Sequence, residues 1–214
     1  KLNGTTISGG TIADNGLIET VQDNSTINGN AQLTGGLVTI DAATQLTLDN
    51  VTVTGSTITD KGTLALADTV TLAGIDIITG TGGSTISNSG LLDITGTTTL
   101  NTDSVTNGGT IRVGNTLKLN GTTISGGTIA DNGLIETVQG VSTITGNAQL
   151  TGGLVTIDAA TQLTLDNVTV TGTTIIDKGT LALADTVTLA GIDIVTGTAG
   201  STISNSGLLD ITGT

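Results

Sequence analysis

The stretch Asp60-Lys61-Gly62-Thr63-Leu64-Ala65-Leu66 carries both signals on which the fold rests. Asp60-Lys61-Gly62 is a turn, because glycine adopts positive φ freely and aspartate hydrogen-bonds the backbone of its own turn. Leu64-Ala65-Leu66 then puts two apolar side chains on one side of an extended chain and one residue on the other, the period of a half-buried strand. The strand signal recurs at Leu46-Thr47-Leu48, Val51-Thr52-Val53, Val70-Thr71-Leu72, Ile75-Asp76-Ile77, Ile111-Arg112-Val113 and Leu117-Lys118-Leu119. In the last three, the charged middle residue is expected to face water while its neighbours pack inward. The turn signal recurs at Asp14-Asn15-Gly16, Asn88-Ser89-Gly90, Asn107-Gly108-Gly109, Asp131-Asn132-Gly133, Asp177-Lys178-Gly179 and Asn205-Ser206-Gly207, each followed within two residues by Leu or Ile.

On a larger scale, Lys1–Thr97 returns as Lys118–Thr214, an offset of 117 residues. The copies differ at Asp23/Gly140, Asn24/Val141, Asn28/Thr145, Ser56/Thr173, Thr59/Ile176, Ile78/Val195 and Gly82/Ala199. Residues 1–117 are therefore a first unit and 118–214 a second, incomplete copy, expected to form one continuous rod. Within a unit the turn glycines Gly16, Gly62, Gly90, Gly109 and Gly133 are separated by 46, 28, 19 and 24 residues, which together make the unit. With two turns in the first interval, a unit holds five coils of about 23 residues, in the range of repeats that stack as solenoids. The expected fold is all-β, a right-handed parallel β-helix of roughly nine coils, a rod about 43 Å long. An antiparallel β-sandwich is the alternative, with Asn15-Gly16, Asn28-Gly29, Asn107-Gly108 and Asn120-Gly121 as hairpin turns.

Composition agrees with stacked coils. The 214 residues include no Phe, Trp, Tyr, Met, Cys, His or Pro, and 33 are Gly. A core without aromatics must be filled by many regularly placed Leu, Ile, Val and Ala side chains. Abundant Thr and Gly disfavour helix, and the positive mean hydropathy of +0.31 argues against disorder. Eighteen acids against five cations give a net charge of −13. So few cations, with no aromatic platform, exclude nucleic acid as a partner and disfavour anionic membranes. No apolar run is long enough to span a bilayer. Absence of Cys makes the chain indifferent to redox compartment.

Strings such as Ile86-Ser87-Asn88-Ser89-Gly90-Leu91-Leu92-Asp93-Ile94-Thr95-Gly96 and Val105-Thr106-Asn107-Gly108-Gly109-Thr110-Ile111-Arg112-Val113 resemble the repeats of filamentous-haemagglutinin-type and autotransporter-type bacterial surface adhesins. The resemblance lies in the Asn-x-Gly-x-Leu/Ile pattern, scattered over the chain. It implies a large exported protein whose stacked coils project from the cell surface, with adhesive regions often elsewhere. The 117-residue unit is longer and less degenerate than the repeats of filamentous haemagglutinin.

No enzymatic constellation emerges. His, Cys and Tyr are absent, and the only glutamates are Glu19 and Glu136. Asp41, Asp49, Asp60, Asp68, Asp76 and Asp93 are dispersed, Arg112 is the only guanidinium, and the acids read as a solvated surface. No catalytic, cofactor-binding or metal-binding residue is assigned. Calcium motifs are missing, and Asp14, Asp60 and Asp103 read as turn caps. The expected role is a non-catalytic stalk or spacer in a secreted bacterial cell-surface adhesin. Its partners are neighbouring repeats of the same polypeptide. Both ends fall within a repeat, so the chain is expected to be a segment of a longer one and to associate end to end through unpaired edges. No motif identifies a host or surface receptor. The alternative is ice binding by Thr rows on a flat solenoid face, with Thr52-Val53-Thr54, Thr57-Ile58-Thr59 and Thr69-Val70-Thr71 as the candidate residues.

Overall fold

The computed structural model describes residues 1–213. All regular structure is β, and every pairing between strands is parallel, so the chain is a β-solenoid and none of the Asn-Gly pairs closes a hairpin. Each coil has three faces. In one central coil these are Thr85–Asn88, Leu91–Ile94 and Thr97–Asn101, and in the next Ser104–Asn107, Thr110–Val113 and Thr116–Asn120. First and second faces belong to one bent sheet; the third faces form a separate sheet of ten strands.

Ten complete coils are present, followed by the first two faces of an eleventh, Thr202–Asn205 and Leu208–Ile211. Ladder partners are 18 residues apart from Leu46 to Leu64 and 22 from Leu64 to Ile86, so coils are shorter than the expected 23 residues and six of them fill a unit. The reason is that the glycine marks lie on different corners. Gly16 and Gly133 turn the chain from second to third face, Gly62 from third to first, and Gly90 and Gly109 from first to second. Their irregular spacing mixes whole coils with thirds of coils. Ten rises give a rod of roughly 48 Å.

The core is a set of aliphatic columns. Leu46, Leu64, Ile86, Val105, Ile124, Ile144, Leu165 and Leu183 stack rung on rung, all buried. Like side chains repeat at the strand spacing, so small branched residues fill the interior without an aromatic.

The sequence unit and the hydrogen-bonded columns are out of step. Leu17 pairs in succession with Leu37, Thr57, Ile77, Thr99, Lys118 and Glu136. Six coils on, the column therefore holds Glu136, two residues past Leu134, the sequence counterpart of Leu17. Because the slip is even, inward residues stay inward. The junction Leu117-Lys118 falls inside the strand Thr116–Asn120, which is paired on both sides.

One expected orientation is reversed. Asp76 is 1% exposed, whereas Ile75 and Ile77 are 74% and 37% exposed. Ile78 decides the parity, since it stacks between Ile58 and Leu100 in the core, and the residue two before it must also point inward. Arg112 and Lys118 do face outward, between buried neighbours.

Candidate functional site

The corners collect the polar side chains. Asp14, Asp60, Asp131 and Asp177 each accept through Oδ1 a hydrogen bond from the amide of a glycine two residues on, Gly16, Gly62, Gly133 and Gly179, at 2.9 Å. Asp103 Oδ2 accepts from the Asn101 amide at 3.0 Å. The turn-capping role read for Asp14, Asp60 and Asp103 is what the geometry contains. Asp76 bridges two turns, accepting from Ser56 N at 2.9 Å and Gly74 N at 3.2 Å.

The solvated-surface reading of the acids is corrected for half of them. Asp60, Asp76 and Asp93 are buried or nearly so, and Asp41, Asp49 and Asp68 lie on the outside. Capping accounts for Asp60 and Asp76, since a carboxylate that caps a tight corner must enter the coil to reach the amide behind it, whereas Asp93 points outward and is covered by the side chain of Arg112. Burial raises the pKa of Asp60 and Asp76 against the opposing effect of those amide bonds. It pushes Asp131 up to about 6 and Asp103 to about 8, the latter helped by the negative charge of Asp60. The second carboxylate oxygens of Asp14, Asp60, Asp131 and Asp177, and Oδ1 of Asp103, are buried with no hydrogen-bond partner.

At the corner between first and second faces an amide ladder runs inside the rod. Asn88 Nδ2 donates to Asn107 Oδ1 at 2.8 Å and to the Thr110 carbonyl at 3.1 Å. Asn107 Nδ2 donates to the Gly126 and Thr128 carbonyls at 3.2 and 3.1 Å. On the outside, Arg112 grips Asp93 of the preceding coil with two hydrogen bonds, Nε to Oδ1 at 2.8 Å and Nη2 to Oδ2 at 2.5 Å. Lys1–Glu19, Lys61–Asp41, Lys118–Glu136 and Lys178–Asp158 also link successive coils, so each cation of the chain is engaged by an acid. Among the described residues no three acids converge as a metal site would require.

Two surface grooves occur, each of them twice, 117 residues apart. One lies between third and first faces, lined by Asn24, Ala43, Gln45, Lys61 and Gly83 in the first copy and Val141, Ala160, Gln162, Lys178 and Gly200 in the second. The other lies over the corner between first and second faces. Asn30, Gln32, Asn50, Thr52, Thr69 and Thr71 line it in the first copy, and Asn147, Gln149, Asn167, Thr169, Thr186 and Thr188 in the second. Of the residues lining the second groove, sequence reasoning singled out Thr52, Thr69 and Thr71, as members of Thr rows and not of a groove, and none of the asparagines. The signal of the asparagines was positional, since Asn30, Asn50, Asn147 and Asn167 adopt positive φ, which asparagine tolerates better than most residues.

The Thr triplets named for ice binding do not share a face. Thr57-Ile58-Thr59 lies on the third face, and the other two on the second, where the row continues from Thr71 into Asp93 and Arg112. A more regular array lies on the first face. Outward Thr85 and Ser87, Ser104 and Thr106, Thr123 and Ser125, and Thr143 and Thr145 set two hydroxyls on each of four successive coils.

The chain matches no protein-family model, no curated protein and no solved structure.

Proposed function

We propose that this chain is a length of stalk from a large, repetitive, secreted bacterial cell-surface adhesin, a non-catalytic spacer that projects an adhesive region. The observation that carries this reading is the junction of the two sequence copies. It lies within a strand hydrogen-bonded to the coils on either side, so a further copy lengthens the rod without introducing a hinge. Parallel ladders and aliphatic columns supply the stiffness, and copy number sets the reach. The differences between copies suit such a role: Asp23/Gly140 and Asn24/Val141 change polarity on exposed corners, whereas Ile78/Val195 and Ser56/Thr173 are mild changes at inward positions. An antibody against this segment, applied to intact cells and to a denaturing gel of their proteins, tests the proposal. Surface labelling with a band of several hundred kilodaltons is expected; a small soluble protein little longer than these 214 residues would refute it.

The array of paired hydroxyls on four coils of the first face favours a second reading, ice binding. Hydroxyls spaced by the coil rise in one direction and by two residues of strand in the other form a flat, regular lattice. Thermal hysteresis and faceted ice growth in the presence of the chain are its required signatures, and ordinary disc-shaped ice growth would dismiss it.

A further inference from the structure

The groove over the corner between first and second faces has no role in a stalk. It encloses ≈ 240 Å³ in the first copy and ≈ 300 Å³ in the second. Its walls advance along the rod one coil at a time: Asn30 and Gln32, then Asn50 and Thr52, then Thr69 and Thr71. Among the described residues the side chains of Asn30, Gln32, Thr52, Thr69 and Thr71 form no hydrogen bond within the protein. Asn50 donates only to Asp68 Oδ2 at 3.2 Å and Asp49 Oδ1 at 3.4 Å, leaving its carbonyl oxygen free. Three amides and three hydroxyls thus face a shallow channel parallel to the rod axis. The channel ends where Leu91 and the Asp93–Arg112 pair take the positions of Thr69 and Thr71 in the following coils.

We propose that this groove is a binding site for a linear, uncharged, β-linked polysaccharide lying along the rod. A ligand that uses the groove must offer donors and acceptors repeatedly at close to the coil rise, which an extended chain of sugar rings does and a compact metabolite does not. Anionic polymers are repelled, because no cation lines the groove, the carboxylates Asp49 and Asp68 flank it and the whole chain carries −13; the lining itself offers only uncharged amides and hydroxyls, the partners of an uncharged polyol. With no aromatic face for a ring to stack on, one groove binds weakly. Two equivalent grooves lie six coils apart, roughly 29 Å along the same side, and a polymer long enough to fill both gains avidity. This assignment goes beyond the stalk reading and is tested on the isolated chain, so neither outcome depends on where the parent protein resides.

The experiment is native gel electrophoresis of the 214-residue chain through gels cast with soluble mixed-linkage β-glucan, with β-mannan, or with alginate. Retardation by at least one of the two neutral polymers and none by alginate is expected. Thr52→Val and Thr69→Val together with Thr169→Val and Thr186→Val remove four outward hydroxyls while keeping β-branched shapes, and should abolish the retardation at unchanged circular dichroism. The pair in one copy alone should weaken binding at least tenfold, since avidity is then lost. As a check free of mutation, a β-glucan tetrasaccharide should shift the side-chain amide resonances of Asn30, Gln32 and Asn50 and of their counterparts. Free migration in both neutral gels, retardation by alginate alone, retardation unaltered in the fourfold variant, or tetrasaccharide shifts confined to other residues would each overturn the assignment.

Discussion

Replacing Asp103 by asparagine should stabilise the rod, and more so the higher the pH. Asp103 lies at the corner between third and first faces, 3% exposed, with Oδ2 held by the Asn101 amide and Oδ1 without a partner. Its pKa rises from 3.8 to about 8, first through burial and then through the charge of Asp60. Below roughly pH 4 the carboxyl is protonated in both folded and unfolded chains and does not affect stability. Between that point and pH 8 the folded chain holds a proton that the unfolded chain has released, so stability falls as pH rises, by up to about 1.4 kcal/mol per unit. The limiting loss at pH 8 is roughly 5 kcal/mol, reduced in practice by relaxation around a carboxyl near the surface. An asparagine at this position would carry no charge at any pH, keep an oxygen for the Asn101 amide, and occupy nearly the same volume. Thermal unfolding followed by circular dichroism at pH 5, 6, 7 and 8 should show the wild-type Tm falling and the Asp103→Asn curve falling less. At pH 8 the variant is expected to gain at least about 1 kcal/mol, roughly 2–4 °C for a chain of this size. A Tm difference that does not change from pH 5 to pH 8, or a variant less stable than wild type at pH 8, would refute the reasoning.

Other perturbations probe other parts of the rod. Asp131→Asn should flatten the pH dependence only between roughly pH 4 and 6, because the folded pKa of Asp131 is about 6; an effect confined to pH 7–8 would contradict this. Asn107→Ala removes the acceptor of Asn88 and the donor to two carbonyls, and chemical denaturation should register a loss of about 2–4 kcal/mol, more than the ~0–1 kcal/mol expected for Arg112→Ala at its half-exposed ion pair. Gly90→Ala would drive a Cβ into the Asp68 carbonyl of the coil below, so a melting temperature within 2 °C of wild type, a shift of less than about 1 kcal/mol, would show the backbone to be softer than coil stacking implies. The last coil leaves Ile203, Leu208 and Ile211 more than half exposed. Sedimentation of this chain should accordingly show concentration-dependent end-to-end association, weakened by Ile203→Lys with Ile211→Lys.

Strand class, stacked parallel architecture and the lack of an aromatic core were all legible in the sequence. Those follow from local rules: Leu64-Ala65-Leu66 can bury only one side, and Asp60-Lys61-Gly62 can only turn. The tertiary structure decided the coil count, the parity of ambiguous strands and the fate of the acids. Gly16, Gly62 and Gly90 look alike in sequence yet turn three different corners, and only closure of the triangle tells a third of a coil from a whole one. Within Ile75-Asp76-Ile77-Ile78 local rules favour Asp76 outward, and they are overridden by Ile58 and Leu100, which hold Ile78 inside and take Asp76 with it. The groove lay still further from view. Asn30, Asn50 and Thr69 are separated by about a coil each in sequence and become neighbours only when the ladders set one rung upon the next.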